Sequence, residues 1–92
     1  MAIVMTGSIP GATTDMYDAI NREMGTEENV PEGLISHYAA HTGDGMLIVD
    51  VWESKDDFDR FAQSRLMPAM EKVGVPQASK PTVAELHNEI HR

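Results

Sequence analysis

The chain is predicted to fold as an α+β protein in the order β-α-β-β-α-β, and three observations carry that prediction. A glycine-rich turn, Thr42-Gly43-Asp44-Gly45, joins two runs rich in β-branched and aromatic residues, the pattern of a β-hairpin. Apolar residues recur at helical spacing on either side of the hairpin, from Met16 to Met24 and from Phe58 to Leu66. Short β-prone runs open and close the chain.

The first strand covers Ala2 to Thr6, and the segment from Gly7 to Gly11, with Pro10, ends it. Thr13, Thr14 and Asp15 then offer N-caps, with Asp15 and Asp18 where a helix N-terminus favours negative charge. The first helix follows, its stripe made by Met16, Ile20 and Met24 and its end marked by Gly25. Thr26 to Glu32 is an acidic loop containing Pro31. The hairpin runs from Gly33 to Ser54, and symmetric closure of its turn pairs His41 with Met46, Ala39 with Ile48, His37 with Asp50 and Ile35 with Trp52.

Side chains alternate across a strand, so those pairs share one face, and Leu34, Ser36, Tyr38 and Ala40 share the other with Leu47, Val49 and Val51. The second face is the more apolar, and parity places Tyr38 and its neighbours under the helices. Ser54-Lys55-Asp56-Asp57 reads as a cap with an acidic first turn, opening a helix that buries Phe58, Phe61, Ala62 and Leu66. Pro68 cannot donate to the carbonyl of Ser64, so a break is expected there, with a short continuation that ends at Gly74. Val75 to Pro81 is a loop, and Thr82 to Ile90 alternates as a last strand, with Ala84, Leu86 and Ile90 on one face and Val83, Glu85, His87 and Glu89 on the other. The sum is the ferredoxin-like arrangement, an antiparallel four-stranded sheet with two helices on one face.

Composition sets the frame around this fold. A chain of 92 residues is expected to be one domain, residues 1–92, burying only roughly 60–65% of the surface that its unfolded chain exposes. No cysteine is present to supply disulfides, so a homodimer is the expected way to thicken a thin core. Two sheets packed face to face would cover Ile35, Ile48 and Trp52, which the helices are expected to leave exposed. A formal charge of −8 with seven scattered basic residues argues against nucleic acid and anionic membranes as partners. No apolar run approaches the roughly 20 residues of a membrane span, and no secretory leader is recognisable, which makes a cytoplasmic location the expectation.

Chemistry concentrates on the hairpin. An imidazole, His37, faces a carboxylate, Asp50, across the strand pair, and a general base tuned by its carboxylate is what proton abstraction from an acidic C–H or a phenol requires. A buried polar pair that merely satisfies itself gives the same pattern. Trp52 beside the pair is either a stacking surface for a planar ligand or a large core residue. Ile35, Ile48 and His87 are the further candidates for ligand contact. His37, Asp50 and His87 do not form a supported metal set, since only one pair follows from register. His41 and His91 lie next to a turn and the C-terminus and are expected in solvent. The methionines at helical spacing are ordinary packing residues.

The stretch Val51-Trp52-Glu53-Ser54, followed by Phe58 and Phe61, resembles the strand-to-helix junction of the dimeric α/β-barrel superfamily. That group includes antibiotic-biosynthesis-type monooxygenases, haem-degrading monooxygenases and many small uncharacterised proteins. The resemblance covers the element order over nearly the whole chain and is motif-like from Val51 to Phe61. It implies a dimer whose two sheets face each other, with a pocket in each subunit. The haem-degrading branch has an Asn on the first strand, and a Trp and a His on the second helix. Aligned through the junction, these positions hold Val4, Phe61 and Glu71, none of which can take over those roles. The resemblance therefore implies no haem, and neither it nor the residues call for another cofactor. Two function classes stay open. One is a cofactor-independent enzyme, an oxygenase or a cyclase/isomerase, acting on a planar, partly apolar metabolite. The other is a non-catalytic dimer that binds a small molecule or serves as an accessory subunit.

Overall fold

A computed structural model describes residues 1–75 and 79–92. Four strands, β1 (Ile3–Pro10), β2 (Leu34–His41), β3 (Gly45–Trp52) and β4 (Thr82–Glu85), form one antiparallel sheet in the order β2-β3-β1-β4. Helix α1 (Thr14–Met24) and a second helical rod, α2 (Lys55–Phe61) continuing into α3 (Met67–Val73), lie on one face. The ferredoxin-like α+β arrangement expected from the sequence is the observed fold.

Local chemistry explains most boundaries. Thr13 caps α1, its hydroxyl accepting from the Met16 N–H at 3.2 Å, and Gly25 closes the helix in the left-handed region. Ser54 caps α2 by accepting from the Asp57 N–H at 3.1 Å, while its hydroxyl donates to the Asp57 carboxylate at 3.0 Å. Strand β1 runs four residues past Thr6. Beyond that point β4 no longer pairs with it, so Pro10 sits where the sheet has a ladder on one side only and tolerates a missing N–H.

The second rod does not break at Pro68. Residues Ala62–Leu66 form a π-helical turn between α2 and α3, closed by Met67 N–H donating to the Ala62 carbonyl. Wider turns of this kind need no donor from Pro68 to Ser64, and the proline then opens α3, which ends at Gly74 as expected. Of the predicted loop from Val75 to Pro81, residues 76–78 lie outside the described residues. The last strand is shorter than expected. It ends at Glu85, after which one further bond, Leu86 N–H to the Ala2 carbonyl, continues the pairing.

Two corrections concern the hairpin. The expected pairs hold from His41–Met46 through His37–Asp50, but a bulge between Leu34 and Ser36 puts Leu34, not Ile35, opposite Trp52. Gly33 makes the entry possible: its φ is +87°, and a Cβ there would collide with the Asp57 side chain. Ile35 is consequently turned out and 48% exposed. The second correction is which face meets the helices. Ile3, Met5, Ile9, Met46, Asp50 and Trp52 are buried beneath the rods, whereas Tyr38 and Leu47, on the opposite face, are exposed. Val83 likewise pairs with Met5 and packs on the inner core, while Ala84 pairs with Val4 outside. A face bearing a His and an Asp is the covered one because its polar groups satisfy each other.

Candidate functional site

Strand β3 sends Ile48, Asp50 and Trp52 to the same side, and β2 brings His37 opposite Asp50. Asp50 is the one buried charged residue among the described residues, 3% exposed, so its carboxylate needs partners close at hand. It has them on both oxygens. His37 Nδ1 lies 2.5 Å from Oδ1, and the Trp52 indole N–H donates to Oδ2 at 3.2 Å. An ionised carboxylate only accepts, so Nδ1 carries the proton and Nε2 of neutral His37 is an acceptor. Tyr17, from α1, meets that nitrogen with its hydroxyl at 2.6 Å, the two rings stacked nearly parallel at 6.0 Å. Tyr17 O–H therefore donates to His37, which donates to Asp50, which Trp52 braces from behind.

Tyr17 was not among the candidates, although the sequence carries its signal. It falls three residues before Ile20 on the apolar stripe of α1, and a phenol placed there must find a polar partner on the sheet. Burial, then the negative charge of Asp50 and after it of Asp18 and Glu27, raises its pKa above the ordinary 10.0. The hydroxyl thus holds its proton more tightly than a free phenol.

The relay opens into a cavity of about 380 Å³ between sheet and helices, lined chiefly by apolar residues that include Ile20, Leu34, Ile48, Trp52, Phe61 and Leu66. That volume is in the range of small-ligand sites. Trp52 is 1% exposed and wedged edge-on against Phe58 at 5.8 Å, with Phe61 at 5.2 Å. Its indole is spent as core and as a brace on Asp50, which leaves a limited edge for a ligand.

Of the sequence candidates, His37, Asp50, Trp52 and Ile48 line this one cavity. Ile35 does not, because the bulge hands its place to Leu34. His87 does not either, since β4 has ended and the residue is exposed beyond the sheet. The cavity is enclosed by helices instead of by a second sheet. Of Val4, Phe61 and Glu71, only Phe61 reaches it. Among the described residues no group of three or more His, Cys, Asp and Glu side chains could hold a metal ion. No described helix is long and apolar enough to cross a membrane.

No family model matches the sequence, and no curated protein matches it. Solved structures do match in shape. A candidate antibiotic biosynthesis monooxygenase from Chloroflexus aurantiacus is similar with a TM-score of 0.71 at 14% identity, covering 99% of this chain and 98% of that one. SnoaB, a cofactor-independent oxygenase from Streptomyces nogalater, is similar with a TM-score of 0.68 at 10% identity, over 99% and 97% of the two chains. A dimeric protein of unknown function with a ferredoxin-like fold from Bacteroides fragilis gives 0.67 at 6% identity, over 92% and 96%. These identities carry the fold alone. The chain has the ferredoxin-like α+β fold found in antibiotic-biosynthesis-type monooxygenase structures.

Proposed function

We propose that the chain is a cofactor-independent enzyme that deprotonates a planar, largely apolar metabolite and passes it to dioxygen. The observation that carries this reading is the bond from Tyr17 to His37 Nε2 at the head of a His–Asp pair, opening on an apolar cavity. A substrate with an acidic C–H or O–H gives its proton to the Tyr17 oxygen as Tyr17 gives its own to Nε2, and Asp50 stabilises the imidazolium. The apolar wall favours a substrate anion whose charge is spread over fused rings. For a methylene of the anthrone kind the balance closes with oxygen alone. The carbanion adds O2 and regains a proton as a hydroperoxide, which loses water to leave a ketone, so the substrate supplies all the electrons. The fold likeness to a cofactor-independent oxygenase supports the choice of co-substrate.

A second reading, a non-catalytic small-molecule-binding protein, is favoured by the same bond, because Tyr17 leaves both imidazole nitrogens satisfied in the free state. Oxygen uptake with a panel of anthrones and fused-ring phenols separates the two. His37→Ala should lower turnover by about 10²–10⁴-fold, Asp50→Asn should weaken it, and Tyr17→Phe should lower it while leaving binding intact. Ligand binding without oxygen uptake in the unmodified protein, with a His37→Ala variant that only melts earlier, would leave the second reading standing.

We also infer that a second copy covers the outer face of the sheet. Tyr38 is 55% exposed there and Leu47 39%, a concentration of large apolar side chains typical of an interface. That a Bacteroides fragilis protein of the same fold is dimeric supports a dimer as such.

A further inference from the structure

The cavity carries charge of one sign at two depths. Asp50 is a buried carboxylate at its floor, and Glu27, from the loop after α1, is an exposed carboxylate at its rim. Among the described residues, no Lys or Arg side chain lines the cavity. Even with the imidazole protonated, His37 and Asp50 sum to zero and Glu27 leaves the site negative. Arg65 touches only the cavity's wall. Its guanidinium stands 5.9 Å from the centre of the Phe61 ring, donates to the Met24 carbonyl at 2.7 Å and faces the neighbouring cleft with Glu32 and Asp57.

The rim also offers a neutral donor. Thr26 donates its hydroxyl to the Asn21 side-chain oxygen, which leaves the Asn21 amide N–H groups for a carbonyl or hydroxyl on a ligand. A ligand carboxylate entering here would give up water and meet no cation, whereas an ammonium could pair with Glu27. That the charge of Glu27 is felt at depth follows from its part in holding the Tyr17 proton, after burial, Asp50 and Asp18.

We propose that this cavity selects neutral or cationic planar phenols against carboxylate-bearing ones, with Glu27 as the residue that sets the preference. The proposal rests on the reading of the site as a pocket for planar acidic substrates, and it adds the charge class of the ligand. The discrimination is moderate because Glu27 is open to solvent and salt.

Calorimetric titration of three probes of one shape tests it: 2-naphthol, 6-hydroxy-2-naphthoate and 6-aminomethyl-2-naphthol, each into the unmodified chain and into Glu27→Gln at neutral pH. The naphthoate should bind about tenfold more weakly than the naphthol, and the aminomethyl compound severalfold more tightly. In Glu27→Gln, an exposed loop change whose fold circular dichroism checks, the affinities of both charged probes relative to naphthol should draw together to within about threefold. A naphthoate that binds as tightly as naphthol overturns the proposal, as does a charge preference that Glu27→Gln leaves unmoved. Failure of all three probes to bind removes the planar-phenol pocket and the selection with it. Binding in the expected order without turnover of any substrate leaves the selection in place and sinks only the enzymatic reading.

Discussion

The two faces of the sheet use the same strands and similar side chains, yet they have opposite fates. Inside, Ile3, Met5, Asp50 and Trp52 are 7%, 5%, 3% and 1% exposed, while outside Tyr38 and Leu47 are 55% and 39% exposed. Counting apolar residues along the hairpin would assign them the other way round. The difference teaches that a face is covered when its bulk and its polar groups are both accommodated. Trp52 supplies bulk, and Asp50 can be buried because His37 and Trp52 satisfy it. On the outer face Val51 is buried within the chain, 7% exposed, but Tyr38 and Leu47 are not, and they belong to the surface proposed above for a second copy.

The largest test of that contrast is Trp52→Ala, expected to cost about 3–5 kcal/mol in urea unfolding because it opens a cavity and orphans one Asp50 oxygen. A cost no greater than that of Leu47→Ala would show the faces to be energetically alike. Next is Gly33→Ala, which meets both a positive φ and the Asp57 side chain. It should destabilise by roughly 1–3 kcal/mol, and an unchanged midpoint would mean that the bulge entry relaxes freely. On the outer face, Leu47→Asp should turn a dimer into a monomer by light scattering and lower the melting temperature by several degrees. A monomer before the change would break the proposed covering of that face.

The smallest effect concerns pH. Burial first, and Asp50 next, raise the Tyr17 pKa above its unfolded value of 10.0, so the folded state holds that proton more tightly. Stability from this source is complete below about pH 10 and is lost as the pH rises through the folded value. Tyr17→Phe should therefore flatten the alkaline limb of the stability curve. Identical limbs would place the hydroxyl in solvent.

Periodicity and caps made most of the fold legible, since Thr13, Ser54, Gly25 and Gly74 act locally and the Gly43-Asp44 turn fixed His37 opposite Asp50. What failed was long-range. Parity groups residues into faces but does not say which face the helices choose, and a one-residue bulge, invisible in composition, exchanged Leu34 for Ile35. Parity alone lets His87 enter the pocket or lie in solvent, and it is exposed because alternation continues past Glu85 where pairing does not. Tyr17 reaches His37 from a different element, and only tertiary packing makes that pairing explicit.

The π-helical turn at Ala62–Leu66 sets the phase of everything after it. An α-helix advances by about 100° per residue, so one residue more or less rotates all that follows by that amount. Phe61, before the turn, and Leu66 and Met70, at its end and after it, all line the cavity. Deleting one residue within the turn would restore an unbroken α-helical ladder up to Pro68 and swing Met70 away from Phe61. The pocket wall would be redrawn without changing the identity of any residue in it. The turn thus works as an indexing step in the backbone, through which a single insertion or deletion can reshape the cavity while the His37–Asp50 pair on the sheet stays where it is.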